Sequence, residues 1–398
     1  MQGTVAIGIL AAGVVLTAGG SRGATFGEDV AFLREHVDVI VLSGKSAQDV
    51  VAVVPQYQGR VMTSSTGGKD GPSFGYVNRG VIASDASDPH MNMFGGEDRF
   101  WVGPEGGQFA VYFPRGASFA FDNWKVPPGI DTQPFAVTAR GRTHASFQSD
   151  LIFTNWIGKV LSVRVNRTIR LLEESPVGPL PDRVRRVSFE SVNRMTNTGA
   201  EPWKKETGLL SIWILGMFQP SDATTVVLPY RAGPDDLLGP VVNDLYFGKV
   251  PADRLAVDDR AVYYKADGKQ RGKIGTSPGR AADVLGSYDP NGPLLTIVTY
   301  NKPGGVTGYV NSMWELQTEP YGGDVVMSYN DGGTGEGAGH TGTFYELESS
   351  SPAALLSVNE SITHIHTTTH LTGPPEDLDP VARRLLGVGL EAIEGALD

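Results

Sequence analysis

The sequence predicts an all-β chain folded as one large antiparallel β-sandwich with a C-terminal helix. Three observations predict it. From Val51 onward, short runs alternate apolar and polar residues with the period of a half-buried strand. Between the runs stand Gly, Pro, Asn and Asp, and the 398 residues include 51 glycines and 26 prolines, far more glycine than is usual. Charged residues make up only 19%, below the usual quarter, which disfavours long solvated helices.

The clearest strand is 161–171 (LSVRVNRTIRL). Leu161, Val163, Val165, Ile169 and Leu171 share one face, Ser162, Arg164, Asn166, Thr168 and Arg170 the other, and only Arg167 interrupts the apolar face. Further strands are expected at 108–113, 136–140, 209–218, 225–228, 294–300, 309–316, 325–329, 343–349 and 361–369. The segment 209–218 (LLSIWILGMF) is apolar on both faces and should run through the middle of the sandwich. Residues 28–42 fit either a short helix or an opening strand pair. Near the end, Asp379 is placed to cap a helix with Pro380 at its first position. Val381, Leu385, Leu386, Val388 and Leu390 then form a stripe suited to packing on the outside of the sandwich. No repeat or long linker divides the chain, so the expected organisation is a leader (1–24), one sandwich domain (25–373) and a helical extension (374–398).

Composition excludes several classes. Without cysteine there can be no disulfide, thiolate chemistry or Cys-ligated metal. A formal net charge of −11 opposes nucleic acid or an anionic membrane as partner, whereas a neutral polyol is indifferent to it. Residues 5–20 (VAIGILAAGVVLTAGG) are uncharged and apolar, with small residues following at Gly20, Gly23 and Ala24. That is the pattern of a secretory leader, too short to span a membrane comfortably, and no Lys or Arg precedes it. The mature protein is therefore expected to be secreted or periplasmic, with no stable membrane insertion.

Candidate chemistry concentrates in Asn92–Glu105 (NMFGGEDRFWVGPE). A Gly-Gly turn is followed closely by Arg99, Trp101 and Glu105. An indole covers the C–H face of a sugar, while Arg and Glu hold hydroxyls through charge-assisted bonds. This segment resembles the Asn-x-Leu-His-Gly-Gly motif of aldose 1-epimerases, the galactose mutarotases. Gly75-Tyr76-Val77-Asn78-Arg79 is similar to their Arg-Tyr-Ala-Asn-Arg segment, Asn197-Thr198-Gly199-Ala200-Glu201-Pro202 to their Asn-x-Gly-x-x-Pro turn, and Phe344–Pro352 to the strand bearing their catalytic glutamate. The anchors occur in the family's order across most of the chain, and the pattern looks closest to a secreted bacterial branch. The resemblance implies a galactose-mutarotase-like supersandwich. It also implies sugar binding through Asn78 and Arg79, beside Arg99, Trp101 and Glu105, and Glu348 as the base.

The departures from that family are specific. Phe94 stands where the motif has a histidine, and the stretch 203–218, where a second is due, has none. General acid–base catalysis needs both a donor and an acceptor at the substrate. The donor would then come from elsewhere: His340, in a glycine-rich loop entering the Glu346/Glu348 strand, or His90. Glu346 and Glu348 lie about 6.6 Å apart along one strand face, near glycosidase spacing. Neighbours on one strand rarely flank a bond from opposite sides, and Glu346 is read as a structural acceptor. In 361–370 (SITHIHTTTH), His364, His366 and His370 share one strand face. His366 and His370 lie about 13 Å apart, too far to share a metal without a bend. An exposed Thr/His face is expected there, and neither metal nor other cofactor.

The expected function is that of an exported carbohydrate-handling protein, epimerase- or mutarotase-like, acting on a sugar or oligosaccharide. A non-catalytic sugar-binding protein and a glycoside-cleaving enzyme on the same scaffold are the alternatives. Expressed in a secreting host, the chain should be recovered outside the cytoplasm with its N-terminus near residue 25. N-terminal sequencing that finds the intact leader on cytoplasmic protein would remove the export reading.

Overall fold

The computed structural model describes residues 23–84, 86–332 and 343–398. It contains β1 (Ile40–Ser43), β2 (Val50–Val54), β3 (Arg60–Ser65), β4 (Arg99–Gly103), β5 (Ala136–Arg140), β6 (His144–Thr154), β7 (Val160–Leu171), β8 (Arg185–Asn197) and β9 (Ser211–Phe218). Then follow β10 (Thr225–Pro229), β11 (Leu255–Val257), β12 (Ala261–Lys265), β13 (Gly272–Thr276), β14 (Val284–Asp289), β15 (Leu294–Tyr300), β16 (Val326–Asn330), β17 (Tyr345–Ser350) and β18 (Ser361–Thr372). All ladders between these strands are antiparallel.

One wall of the sandwich is a ten-stranded sheet in the order β11-β12-β10-β14-β15-β18-β8-β7-β6-β5. The other wall is made of two smaller sheets, β1-β2-β3 and β13-β16-β17-β9-β4. A bridge between Val61 and Asp98 ties those two together. Apolar side chains from both walls, among them Leu42, Val51, Val53, Phe147, Val165, Ile169, Phe189 and Ile214, merge into one core. Burial of such side chains supplies the main stabilising term, about 25 cal/mol per Å² of apolar surface removed from water.

The strand at 161–171 behaves as its pattern requires, with Leu161, Val163, Val165, Ile169 and Leu171 buried. Its odd member, Arg167, is fully buried as well. It donates to Asp98 Oδ1 at 2.5 Å, Asn193 Oδ1 at 2.6 Å and the Gly59 carbonyl at 3.2 Å. A guanidinium in the core is tolerable only when its donors are used in this way.

The histidine run corrects an expectation. His364, His366 and His370 are fully buried between the walls, not exposed. β18 is a central strand whose inner face meets the backs of β17 and β9, so its polar residues are covered and must find partners there. Ser349 Oγ lies 2.8 Å from both His364 Nε2 and His366 Nδ1. His370 reaches Glu97 Oε2 at 2.9 Å and Thr296 Oγ1 at 2.9 Å. Glu97 also accepts from the Ser64 hydroxyl at 2.8 Å. The Ser349 hydroxyl has one proton and can donate to only one of the two rings, so at least one ring carries a proton on the nitrogen facing Ser349.

Other expectations shift by identifiable causes. Residues 28–42 contain both alternatives in succession: the helix Phe26–His36, closed by a capping box between Thr25 and Glu28, and then β1. Residues 108–113 and 309–316 form no strand; they are turns and bridges over the outer face of the five-stranded sheet. The C-terminal helix starts earlier than Asp379, at Pro375 (Pro375–Leu386), and accommodates Pro380 in its interior. Asp379 instead pairs with Arg383 at 2.7 Å and accepts from the Leu390 amide at 2.9 Å. Leu378, Val381, Ala382 and Leu386 pack with Tyr288, Leu295, Ile297 and Leu371 on the outer face of the ten-stranded sheet. No helix among the described residues is long and apolar enough to cross a membrane.

Burial lowers the pKa of His364 to about 3, with a further push from His366, and that of His366 to about 4. The unfolded chain therefore binds more protons between those values and 6.5, so stability falls as pH drops through 6.5 toward 4. Each histidine should cost roughly 2 kcal/mol at pH 5 relative to pH 7. Urea melts of the wild type and of a His364→Gln/His366→Gln variant test this. An unchanged pH slope in the variant would refute it.

Candidate functional site

The outer face of the five-stranded sheet carries a compact set of polar and aromatic side chains. Strand alternation and register determine which residues share it. Arg99 pairs with Leu215, Trp101 with Trp213, Leu215 with Glu348, Met217 with Glu346, Glu348 with Met327, and Tyr329 with Lys273. Arg99, Trp101, Trp213, Glu346, Glu348 and Lys273 thus point the same way. The alternate residues Tyr345, Leu347 and Ser349 point inward to the ten-stranded wall.

Two ion pairs organise this face. Arg99 Nη2 donates to Glu346 Oε1 at 2.7 Å, with side chains 4% and 7% exposed. Lys273 Nζ donates to Glu348 Oε2 at 2.9 Å, with side chains 8% and 0% exposed. The Trp213 indole donates to the same Glu348 oxygen at 2.9 Å. Each cation also sits over an aromatic ring: Arg99 is 4.3 Å from the Trp101 centroid and Lys273 4.6 Å from that of Trp213. The two indoles meet edge to face at 5.6 Å. Such contacts favour a desolvated cation and stiffen its long stem.

Loops roof the face. Tyr246 lies 5.4 Å from Lys273 Nζ and donates to Asp324 at 2.6 Å. Glu105 keeps some solvent contact, with Trp124 and Trp314 beside its carboxyl. Packing pushes its pKa up, Lys273 pulls it back and Glu348 adds to the rise. His90 donates through Nδ1 to the Trp124 carbonyl at 2.6 Å and stacks on Phe121 at 4.6 Å. Under the roof, beside Trp213, Tyr246 and Ser350, is a cavity of about 10 Å³, room for about one water.

Several polar atoms here have no hydrogen-bond partner among the described residues: Glu348 Oε1, Arg99 Nε, Trp101 Nε1 and Ser211 Oγ. Buried unsatisfied groups are rare in native proteins, and a cluster combining acceptor and donors on one face suits a hydroxylated ligand. No group of three or more metal-ligating side chains occurs among the described residues.

Of the residues singled out from the sequence, Arg99, Trp101, Glu105 and Glu348 converge on this face. Asn78 and Arg79 do not. Asn78 caps the short helix Arg79–Ala83 through the Val81 amide at 3.2 Å. Arg79 pairs with Asp29 at 2.7 Å and lies over Phe32. Its neighbour in space is the N-terminal helix, 50 residues away in the chain, which the local motif cannot reveal. His340 lies outside the described residues. Phe94 stacks on Tyr57 at 4.0 Å, next to the glycine turn, where Gly95 at φ 92° bridges to Val77. A Cβ on Gly95 would stand 2.0 Å from the Tyr76 carbonyl, so the turn is steric in origin. Glu346, read as a structural acceptor, is paired on the same face as Glu348. Lys273, Trp213 and Tyr246 escaped notice. The available signal was a single cation in Gly272–Thr276, set between glycines in a strand too short to stand out.

Residues 24–397 match a family described as a family of unknown function (DUF6786). The chain belongs to that family. No curated protein matches the sequence. Among solved structures, the Slr1438 protein of Synechocystis aligns at a TM-score of 0.53 and 11% identity, covering 85% of this chain and 98% of that one. A galactose mutarotase-like protein from Lactobacillus casei aligns at 0.47 and 9%, covering 84% and 100%. A galactose mutarotase related enzyme from Lactobacillus acidophilus aligns at 0.44 and 8%, covering 85% and 97%. At such identities the likeness is one of fold.

Removing one member of a buried ion pair strands the other. Lys273→Met should destabilise this DUF6786 protein by about 3–5 kcal/mol, and Lys273→Met with Glu348→Gln should recover most of the loss. Urea denaturation of both variants tests this. A single variant within about 1 kcal/mol of wild type would refute the burial argument.

Proposed function

We propose that this chain is an exported protein that binds a sugar or oligosaccharide on the outer face of the five-stranded sheet and interconverts its forms by epimerase- or mutarotase-like acid–base chemistry. One observation carries the reading. Glu348 has Oε2 fixed by Lys273 and Trp213, while the fully buried Oε1 has no partner among the described residues and shares its face with unpaired donors on Arg99 and Trp101. A carboxylate so arranged is oriented as an acceptor, and a ligand hydroxyl suits its open oxygen. Trp101 and Trp213 offer apolar surface for C–H groups, and Arg99 and Glu105 offer polar contacts at the edge. The order of the sequence anchors supports the same reaction class.

A non-catalytic sugar-binding role is the second reading. It is favoured by Phe94, which occupies the motif's histidine position and is committed to stacking on Tyr57.

Proton exchange between aldose anomers, followed by NMR across a panel of sugars, distinguishes the two. Glu348→Gln should lower the exchange rate by about 100-fold or more and change sugar affinity only a few-fold. Its fold is checked by thermal melting, with Lys273→Met/Glu348→Gln as the better-compensated variant. Saturable binding without turnover in the wild type would establish the binding role instead. Neither binding nor turnover on any sugar would end both.

A further inference from the structure

We propose that Glu346 and Glu348 form one acid–base pair, with Glu346 as the proton donor that the altered histidine positions do not supply. The inference rests on the isomerase reading of this face and assigns its missing half.

The geometry is complementary at the level of single oxygens. Arg99 Nη2 pins Glu346 Oε1 at 2.7 Å, and Glu346 Oε2 stands outside that contact. On Glu348 the arrangement is reversed: Lys273 and Trp213 pin Oε2, and Oε1 is unpartnered. Each carboxyl therefore has one oxygen held by a cation of the sheet and one outside that contact. In a carboxylic acid the carbonyl oxygen accepts and the other oxygen carries the proton, so Arg99 on Oε1 leaves Oε2 as the site of the O–H. The residues stand two apart on β17, about 6.6 Å along the strand. Ring and exocyclic oxygens on one anomeric carbon lie within about 2.5 Å, and a hydrogen bond of about 2.7 Å on either side spans that gap. Both acid and base can then act from the same side of the sugar, which glycosidic cleavage with flanking carboxyls does not allow.

The chemistry balances without a co-reactant. Glu346 gives its proton to the ring oxygen, and the bond from that oxygen to the anomeric carbon breaks. Glu348 takes the proton of the anomeric hydroxyl as the carbonyl forms. After rotation about the neighbouring carbon–carbon bond, the ring hydroxyl returns its proton to Glu346 while attacking the carbonyl. Glu348 protonates the new anomeric oxygen, and both residues regain their starting states. The charged and titratable groups facing Glu346 are Arg99 from β4, Lys273 from β13, Glu348 beside it, and Tyr329 and Asp331 at the end of β16. Burial pushes the Glu346 pKa up; Arg99 and Lys273 oppose this, while Glu348 and Asp331 add to it, for a value of about 8. A carboxyl whose proton affinity is raised by its surroundings is suited to act as an acid.

The experiment combines a pH–rate profile of anomer exchange with infrared difference spectra of carboxyl-labelled protein. Wild type should show a protonated-carboxyl band at neutral pH that Glu346→Gln removes and Glu348→Gln keeps. Glu346→Gln should slow exchange about 100-fold or more and abolish the alkaline limb of the profile, whereas Glu348→Gln should abolish the acid limb. Because Glu346→Gln alters the carboxyl that Arg99 holds, Arg99→Met/Glu346→Gln serves as the folded control for the band. Wild-type turnover with an alkaline limb that survives in Glu346→Gln, or no such band in wild type, overturns the assignment alone. Wild type that exchanges no aldose overturns the isomerase reading and this pair with it.

Discussion

Charge cannot be buried without a partner, and β17 and its neighbours are built around that constraint. Glu346 and Glu348 project from a strand in which every residue is buried, so each is matched by a cation delivered from a different strand: Arg99 from β4 and Lys273 from β13. Those cations are not neighbours of their carboxylates in sequence, and the ladder β13-β16-β17-β9-β4 must be complete before either pair exists. The ion pairs thus report on the assembled sheet. Pairs of this kind contribute little net stability compared with apolar replacements, but they penalise any register that leaves one charge alone.

The same strand faces a second polar layer on its inner side. Ser349, between Glu348 and Ser350, bridges His364 and His366 on β18, while His370 meets Glu97 from the segment leading into β4. Asp98, next to Glu97, pairs with Arg167 on β7. The glycine-rich segment before β4 therefore serves both layers. Glu97 and Asp98 fasten the two walls from within, and Arg99 and Trp101 furnish the outer face. A substitution there acts on stability and on the site together, because a one-residue slip would exchange the two faces.

Much of the sandwich was legible from local pattern. Strand 294–300 appears with the bounds its alternation implies, and the buried face of 161–171 follows its sequence residue by residue. The site was legible in part. Arg99, Trp101, Glu105 and Glu348 come together, whereas Asn78 and Arg79 turn to local capping and to the N-terminal helix. Lys273 and Trp213 were hidden for opposite reasons. One is a lone cation in a strand of five residues, and the other is an indole in a strand so apolar that it reads as core.

Residue order alone determined the antiparallel strands, their buried faces, the glycine turn at Gly95-Gly96, and the exclusion of thiol chemistry. These depend on side-chain period, on steric limits at single positions and on composition, all of which act locally. Tertiary structure decided which cation meets which carboxylate, that the histidine run is inside, and that the polar outer face lies under a roof. Those outcomes depend on which strands become neighbours, and neighbours such as β17 and β9, or β18 and β8, are separated by more than a hundred residues of chain whose closure no local pattern records.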